Sequence, residues 1–289
     1  MPELPEVESV RLGLLDHALG KEIANAETFG ERVSRRSERP IGVLNGGVID
    51  AVARRGKFLW FDVADRNGAR FPLVAHLGMS GQFRVNCQGL AHVRATIDFA
   101  DGTRLDFIDQ RTFGYLAPDH YVPTADGEAA GIGTDKPLIP HVVSHIARDL
   151  LDPHLDRVAL AVTIVSKRAA IKKVILDQAV VSGIGNIYAD EALFEARIHP
   201  LRPANTLTGP ELSRLLATAT DVLERSLEAG GTSFDALYVS VNGESGYFER
   251  SLRAYGRTGK PCPRCGEPIQ QITVGGRSSH FCPQCQQLS

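Results

Sequence analysis

The chain begins Met1-Pro2-Glu3, which places a proline beside a carboxylate. A small second residue commonly permits removal of the initiator methionine, and Pro2 would then carry a secondary amine. An α-amino group titrates at roughly pH 7.7–8.0, so part of it is neutral at cellular pH and can act as a nucleophile. Glu3 could move protons beside that nitrogen. The same residues are also typical of a disordered start or of the first turn of a helix.

Four of the five cysteines form two C-x₂-C pairs, Cys262/Cys265 and Cys282/Cys285, separated by sixteen residues. This spacing is typical of Zn²⁺ held by four thiolates. Because four protein ligands close the coordination sphere, we predict one structural zinc ion. Free thiols are the alternative. The remaining cysteine, Cys87, is predicted to be a small core residue.

A β-hairpin is predicted between the two cysteine pairs. Residues 269–274 and 278–281 flank Gly275-Gly276-Arg277, so Arg277 would lie at the tip. An arginine on a rigid turn can bind phosphate with two hydrogen bonds, although a solvated turn arginine would have the same sequence.

Two segments are locally basic although the formal net charge is only −2. Residues 167–173 carry four cations and no acid, and residues 247–289 are also rich in cations. Such surfaces favour a polyanionic partner, although charge runs are often solvated faces. The cations of the second segment are Arg250, Arg253, Arg257, Lys260, Arg264 and Arg277, against Glu249 and Glu267.

The segment 177–188 joins two predicted helices through a turn that contains Gly183 and Gly185. Glycines allow close approach of a ligand to the backbone, and Asn186 is predicted to cap the following helix and to donate through its side chain. This pattern could bind a phosphate. A glycine-rich corner between two helices is the alternative.

The elements that must position these residues divide the chain into a β-rich part and a helical part. Apolar residues at helical spacing before Gly20 predict a helix over 3–19, which would hold Pro2 on a rigid element. Short alternating runs separated by turn residues predict an antiparallel sandwich or barrel. The predicted strands are 48–54, 57–63, 71–77, 82–85, 93–99 and 103–108.

Periodicity predicts a helical second half after a linker rich in Gly, Pro and Asp at 124–140. The predicted domains are 1–123 for the β-sandwich, 141–246 for the helical domain and 247–289 for the zinc finger. The overall class is therefore α+β and multidomain. The predicted helices are 141–150, 167–178, 187–195 and 210–229.

Composition agrees with an ordinary cytosolic protein. The chain has 289 residues, of which 43% are apolar and 23% charged. It contains no apolar run of membrane-spanning length and no signal peptide. Clustered cysteines favour a metal site in a reducing compartment over a disulfide framework. We expect a cytoplasmic monomer with no membrane partner.

Six segments, in order along nearly the whole chain, closely resemble bacterial formamidopyrimidine-DNA glycosylases, the 8-oxoguanine DNA glycosylase/AP lyases of the Fpg/Nei family. The resemblance implies a helix-two-turn-helix in the second half. It also implies a DNA repair enzyme that binds duplex DNA containing oxidised bases or abasic sites. The segments are PELPEVE, Arg55-Gly56-Lys57, His76-Leu77-Gly78-Met79-Ser80-Gly81, Asp109-Gln110-Arg111-Thr112-Phe113-Gly114, GIGNIYADE and the four-cysteine finger.

The resemblance also implies roles for single residues. Met79, Arg111 and Phe113 would form a wedge that fills the space left by an extruded base, with Arg111 facing the orphaned cytosine. Taken alone, Met79 and Phe113 are more typical of a buried core, and Arg111 is more typical of a surface ion pair. The phosphates around the lesion would be held by Lys57, His76, Asn186 and Arg277. Lys57 is grouped with Pro2 and Glu3 at the catalytic centre.

The implied reaction uses Pro2 and Glu3. Pro2 attacks C1′ of the damaged nucleoside while Glu3 assists proton transfer at the sugar ring oxygen, and the base leaves. The resulting Schiff base acidifies the neighbouring C–H, so β- and δ-elimination cut the strand on both sides. Glu6 would support the N-terminal helix.

Two departures from the family pattern limit what the resemblance implies. Thr112 stands where relatives commonly have a second basic residue, and residues 233–238 lack a basic residue often present in the loop over the flipped base. Two rival functions remain at this point. One is an endonuclease VIII-like glycosylase for oxidised pyrimidines, which the wedge pattern disfavours, and the other is a non-catalytic zinc-ribbon protein that binds damaged DNA.

Overall fold

The structure is a computed structural model that describes residues 2–37, 39–87, 89–231 and 248–288. These residues form two compact units, one containing 2–145 with 230–231 and the other containing 146–229 with 248–288. The first unit is mainly β and the second mainly helical. The α+β class predicted from the sequence is confirmed.

The first unit opens with helix α1 (Leu4–Ala18), which confirms the helix predicted over 3–19. Glu3 is its N-cap. The N–H of Glu3 donates to the Glu6 carboxylate at 2.8 Å, and the Glu3 carboxylate accepts from the N–H of Glu6 in return. This reciprocal capping box satisfies donors that a helix start otherwise leaves open. The apolar face of α1, which includes Val7 and Leu14, is buried in the core of the unit.

Eight strands form two four-stranded antiparallel sheets behind α1. Rings from the two sheets meet in the core, where Phe61 and Phe83 lie edge to face at 5.8 Å, so the predicted sandwich is confirmed. The first sheet has the order β2 (Val48–Arg55), β3 (Phe58–Ala64), β4 (Arg70–His76) and β8 (Tyr115–Pro118). The second has the order β1 (Ile23–Thr28), β6 (Val93–Phe99), β7 (Arg104–Asp109) and β5 (Gly81–Val85).

All six predicted strands are present, but the sequence did not reveal four others. Strand β1 has the sequence IANAET and lacks the β-branched alternation of its partners, while β8 is only four residues long. The short pair β9 (Tyr121–Pro123) and β10 (Leu138–Pro140) extends into the segment that was predicted to be a linker.

The second unit contains α2 (Arg157–Val165), α3 (Ile171–Ile175), α4 (Asn186–Ala196) and α5 (Gly209–Glu228). The helices predicted at 187–195 and 210–229 are confirmed. The helix predicted at 167–178 is wrong in extent, because only α3 forms within it. There the N–H of Ile171 donates to the carbonyl of Arg202 instead of to a helical partner. Helix α2 was not predicted from the sequence. Two of its valines, Val158 and Val162, face solvent, so its apolar residues do not follow the spacing of a single buried helix face.

The helix predicted over 141–150 is wrong. Only His141–Val143 makes a 3₁₀ turn. The N–H of Val142 donates to the Asp119 carboxylate at 2.9 Å, and the N–H of Ala147 donates to the carbonyl of Gln178. Partners distant in sequence therefore satisfy donors that a continuous helix would have used.

The predicted zinc-finger hairpin is confirmed as β11 (Gln270–Val274) and β12 (Arg277–Phe281). Val274 pairs with Arg277 across a two-residue turn in which Gly275 and Gly276 have φ of +60° and +78°. Two positive φ angles suit the right-handed twist of a hairpin, and glycine adopts them without strain. Among the helices in the described ranges, none has the length and hydropathy that a bilayer crossing requires.

Candidate active site and nucleic-acid interface

The N-terminal residues are ordered and largely inaccessible. Pro2 is buried, and Glu3 and Glu6 are each 3% exposed. Gly231 has φ of +85°, and a Cβ on it would lie 3.0 Å from the Glu6 carboxylate. The backbone at Gly231 therefore packs so close to Glu6 that any larger residue there would crowd the carboxylate. The alternative that the chain begins with a disordered segment is therefore excluded for the residues from Pro2 onward. Pro2 and Glu3 have a fixed position at the N-terminal end of α1.

A buried ion network connects α1 to the first sheet. Arg54 Nε donates to Glu8 Oε2 at 2.6 Å, and Arg11 Nη2 lies 2.7 Å from Glu8 Oε1. Burial raises the pKa of Glu8, but hydrogen bonds and charges from Arg11 and Arg54 outweigh it, and the net shift is downward from 4.5. Arg54 Nη1 also donates to the carbonyl of Gly56 at 3.0 Å. One side chain thus links the helix that carries Pro2 to the turn that carries Lys57.

Lys57 lies in the two-residue turn between β2 and β3 and is only 7% exposed. Gly56 precedes it with φ of +55°. The following residue, Phe58, pairs with His76 across β3 and β4, and their rings are 4.8 Å apart. The sheet register therefore brings Lys57 near His76, as a shared phosphate site would require.

His76 is a neutral imidazole with a defined tautomer. Its Nδ1 accepts the N–H of Gly78 at 3.2 Å, so its Nε2 carries the proton and can donate. Burial, and then the positive charges of Lys57 and two nearby arginines, lower the pKa of His76 to about 4. The ring also stacks on Tyr115 at 5.6 Å.

The loops that carry Met79 and Phe113 pack against each other through backbone. Gly78 has φ of +61°, and a Cβ on it would lie 2.5 Å from the carbonyl carbon of Phe113. Ser80 Oγ donates to Asp109 Oδ1 at 2.5 Å and accepts the N–H of Arg111 at 3.0 Å. The three predicted wedge residues are thus brought to one place.

Asp109 organises this junction. It belongs to one of the sequence motifs given above, but no role was predicted for it. It is 1% exposed at the end of β7, and its second oxygen accepts the N–H of Gly114 at 2.6 Å. An acid directly after a strand and before a glycine-containing loop is the signal that could have indicated it, since such side chains commonly bond nearby backbone N–H groups.

The three side chains predicted to form the wedge differ in exposure. Phe113 is 50% exposed, which is unusual for a large ring, and Arg111 is also exposed with its guanidinium 5.8 Å from the Phe113 ring centre. Met79 is half-buried. A cavity of about 290 Å³ lies beside Phe113 and His76 and is also lined by Arg35, Arg36, Phe58, Tyr115, Val142 and His145. An exposed apolar ring next to cations is suited to insertion between bases.

Arginines from a distant segment surround Thr112, the residue that replaces a common basic one. Thr112 has φ of +55°, and its Oγ1 accepts from Arg32 Nη1 at 3.2 Å. Arg35 donates to the carbonyls of Phe113 at 2.7 Å and Gly114 at 3.0 Å. Positive charge is therefore retained around this loop.

In the second unit, Gln178 shapes the turn before α4. Its amide oxygen accepts the N–H of Gly183 at 2.9 Å, and its amide nitrogen donates to the carbonyl of Ile184 at 2.9 Å. The N-cap of α4 is Gly185, so the prediction that Asn186 caps the helix is wrong. Asn186 is the first helical residue, and its Nδ2 donates to the carbonyl of Ser278 at 2.9 Å.

A buried ion pair joins α3, α4 and the finger hairpin. Lys172 Nζ donates to Asp190 Oδ1 at 2.6 Å and to the carbonyl of Ser278 at 2.8 Å, and both charged side chains are fully buried. Asp190 also accepts from Ser279 and His280. These bonds hold the start of β12, and hence exposed Arg277, beside Asn186 at the N-terminus of α4.

The four cysteines fit a single zinc ion. The Sγ atom of Cys265 lies 3.5 Å from those of Cys282 and Cys285, and the Cys262–Cys285 distance is 4.0 Å. Tetrahedral Zn²⁺ with Zn–S of about 2.3 Å requires S–S separations of about 3.8 Å. Backbone N–H groups also point at Cys262 and Cys282. The protein therefore has one structural zinc site. Cys87 is half-buried, so its assignment to the core is wrong.

Two features of the sequence analysis lie outside the described residues. They are Met1, whose removal would free the Pro2 nitrogen, and the segment 233–238.

Three family models match the chain in succession. The formamidopyrimidine-DNA glycosylase N-terminal domain matches residues 1–116, and the formamidopyrimidine-DNA glycosylase H2TH domain matches residues 146–237. The zinc finger found in FPG and IleRS matches residues 259–288.

Relatives of known name match over full length. The chain is 50% identical to a formamidopyrimidine-DNA glycosylase of Corynebacterium jeikeium over 99% of this chain and 100% of the relative. It is 49% identical to one of Leifsonia xyli over 100% of both.

Solved structures agree with these matches. The MutM (Fpg) protein of Thermus thermophilus superposes with a TM-score of 0.80 at 34% identity, covering 100% of both chains. A Lactococcus lactis FPG mutant in complex with a Fapy-dG containing DNA superposes with a TM-score of 0.81 at 31% identity, covering 99% of this chain and 100% of the other.

Proposed function

The chain belongs to the formamidopyrimidine-DNA glycosylase family and is a DNA glycosylase that excises oxidised purines in base excision repair; we propose that Pro2 is its nucleophile. The substrate is duplex DNA that contains 8-oxoguanine, a formamidopyrimidine or an abasic site. Relatives of this fold have been solved with DNA containing Fapy-dG and with DNA containing an abasic site. Because the substrate is chromosomal DNA, we infer that the enzyme works in the bacterial cytoplasm.

The observation that carries the catalytic assignment is the fixed adjacency of Pro2 and Glu3 at the capped start of α1. Once Met1 is removed, the Pro2 nitrogen is a secondary amine with a neutral fraction at cellular pH. Glu3 cannot move away, because the capping box holds both its backbone and its carboxylate. The acid–base group is therefore already beside the nucleophile when the sugar binds, and its positioning costs no further entropy in the reaction.

The reaction then proceeds through a covalent enzyme–DNA intermediate. The nitrogen lone pair of Pro2 forms a bond to C1′, the bond from C1′ to the base breaks, and Glu3 assists proton transfer at the ring oxygen. The sugar opens to an iminium, in which the C2′ proton is acidic. Loss of that proton expels the 3′ phosphate, and a second elimination expels the 5′ phosphate.

The remaining sites bind and distort the duplex. Met79, Arg111 and Phe113 enter the space of the extruded base, with the Arg111 guanidinium placed for the orphaned cytosine. Lys57 and His76 in the first unit, and Asn186 and Arg277 in the second, bind phosphates. The exposure of Phe113 and the neutral Nε2–H of His76 support these assignments. The zinc ion shapes the finger that presents Arg277 and takes no part in the reaction.

Borohydride trapping tests this function. Incubation with an 8-oxoguanine duplex under reducing conditions should join the enzyme covalently to DNA, and Pro2→Gly should largely remove the adduct while retaining affinity. Intact mass should show loss of Met1, and peptide mapping should place the adduct on residue 2. An adduct on a lysine, or retention of Met1 in trapped enzyme, would overturn the assignment of Pro2.

The same assay separates the rival functions. An endonuclease VIII-like enzyme would be trapped more efficiently on an oxidised pyrimidine than on 8-oxoguanine. A non-catalytic damaged-DNA binder would form a complex with both duplexes but no covalent adduct with either.

A further inference from the structure

Two histidines and an aspartate, none of which takes part in the proposed reaction, converge on one face of the first unit. Asp119 and His120 lie in the link between β8 and β9, and His141 directly follows β10. Because β9 and β10 pair, the N–H of His141 donates to the carbonyl of His120 at 2.9 Å. The two imidazole rings are consequently stacked, with centres 4.8 Å apart and planes inclined by 19°.

Asp119 is the fixed member of this group. Its side chain is 9% exposed, and its backbone N–H donates to the carbonyl of Pro72 at 2.9 Å. One carboxylate oxygen accepts the N–H of Val142 at 2.9 Å, and the other lies 3.2 Å from His120 Nδ1. The orientation of the carboxylate is therefore set before any ligand arrives.

The three side chains form a set of metal ligands. Each offers one ligand atom, and these atoms all lie within 4.8 Å of one another. Histidine is the commonest protein ligand for transition metals, and two imidazoles with a carboxylate suit Zn²⁺ and its neighbours rather than Mg²⁺ or Ca²⁺. Both rings are exposed, so small side-chain rotations can close the remaining separation.

The surroundings allow access and set the strength of binding. A cavity of about 320 Å³ is lined by these residues together with Arg36, Arg39, Pro118 and Val142. The two arginines repel a cation, but both are exposed, and solvent screens them. The affinity should accordingly be lower than that of the four-cysteine site, which has four anionic ligands.

We propose that Asp119, His120 and His141 bind one transition-metal ion in an open site, separate from the structural zinc. Three protein ligands leave at least one coordination position for water, as in exposed or catalytic sites rather than in closed structural ones. This inference does not depend on the glycosylase mechanism, because none of the three residues is assigned to it.

Ni²⁺ is a suitable probe, because it binds imidazole well. Untagged protein that already holds its finger zinc is titrated with Ni²⁺ by calorimetry, and zinc retention is verified by elemental analysis. Wild type should retain one zinc and bind one nickel per chain. His120→Ala/His141→Ala should weaken nickel binding at least tenfold, and Asp119→Asn should weaken it less.

His145→Ala is the matched control, since His145 is an exposed histidine that lines the adjoining cavity. This variant should bind nickel as wild type does. The proposal is overturned if wild type binds no nickel, if the double variant binds it equally well, or if thiolate charge-transfer bands show that the cysteines hold it. Circular dichroism verifies that the double variant is folded, and trapping on an 8-oxoguanine duplex should be unchanged in it.

Discussion

Arg54 donates from Nε to Glu8 at 2.6 Å and from Nη1 to the carbonyl of Gly56 at 3.0 Å. Glu8 lies in the second turn of α1, whose N-cap Glu3 directly follows the proposed nucleophile Pro2, and Gly56 precedes Lys57 in the β2–β3 turn. The distance between the N-terminus and the Lys57 turn is thus set by one buried guanidinium, 1% exposed. The proposed catalytic geometry therefore depends on a residue outside the proposed catalytic set.

Replacing Arg54 with Met should destabilise the protein by about 3–5 kcal/mol, because it removes one partner of a buried ion network. Urea denaturation measures this change. Arg66→Met is the control, since Arg66 pairs with Glu22 on the surface with 78% of its side chain exposed, and its loss should have a much smaller effect. Equal destabilisation by the two variants would contradict the importance of the network. At temperatures where Arg54→Met remains folded, its trapping rate should still be reduced.

Glu8 should make folding sensitive to acid. The pKa of Glu8 in the folded protein lies below its ordinary value of 4.5. A carboxyl group whose pKa is lower in the folded protein than in the unfolded chain stabilises the fold fully at pH values above the unfolded pKa. This stabilisation is lost as pH falls through the folded pKa. Denaturation midpoints measured between pH 6 and pH 3 should fall less steeply in Glu8→Gln than in wild type. Parallel curves for the two proteins would refute the assignment.

His76 should remain neutral throughout the working pH range of the free enzyme. The pKa of His76 is about 4 in the folded protein, below the ordinary value of 6.5. As pH falls from 6.5 towards 4, the histidine is therefore protonated in the unfolded chain but not in the folded protein, and the fold loses stability. Histidine NMR resonances assigned with His76→Gln should show that His76 does not titrate above pH 5. A titration midpoint of His76 near pH 6.5 would instead mean that the ring is neither buried nor close to the positive charge of Lys57. DNA phosphate should raise this pKa on binding.

The sequence predicted best those parts whose local pattern and tertiary role agree. Alternating apolar residues identified six strands, and the C-x₂-C spacing identified the finger. The helix predicted from the local pattern over 141–150 was wrong because hydrogen bonds to distant residues replace the helical ones. Asp119 and Gln178 accept backbone N–H groups of this segment. Motifs indicated candidate site residues, whose roles stay predictions, but they did not indicate the residues that hold those candidates in place. Arg54 and Asp190 act through contacts across sheets and helices, which spacing along one chain does not indicate.

Removal of zinc should disorder the finger and weaken DNA binding while leaving the first unit folded. Thiolates without metal repel one another, and such small metal sites derive much of their folding energy from the ion. Chelation should lower the affinity for an abasic-site duplex, and added zinc should restore it. Cys265→Ser should behave as the chelated protein does, whereas Cys87→Ser, which removes a thiol outside the site, should bind DNA normally. Full affinity after verified zinc loss would contradict the role of the finger in presenting Arg277.

Arg35 should act as a positioning residue for the wedge. Its guanidinium donates to the carbonyls of Phe113 and Gly114, and it bonds the carbonyl of Arg32 at 2.6 Å, so it braces the loop in which Thr112 adopts positive φ. Hydrogen bonds from a charged donor contribute about 1.5–3 kcal/mol each. Loss of this brace in Arg35→Gln should slow single-turnover excision roughly tenfold or more.

The distinguishing measurement for Arg35 is 2-aminopurine fluorescence beside the lesion, which reports base unstacking by the inserted wedge. Arg35→Gln should reduce the rate of that signal, whereas Arg36→Gln should leave the rate unchanged and alter only the salt dependence of affinity. Arg36 is the matched control because it is an exposed arginine at the next position and makes no hydrogen bond to residues 112–114 in the described part of the chain. If both variants lost only salt-dependent affinity, Arg35 would be an ordinary phosphate contact, and the shape of the wedge loop would have to come from Gly78 and Asp109 alone.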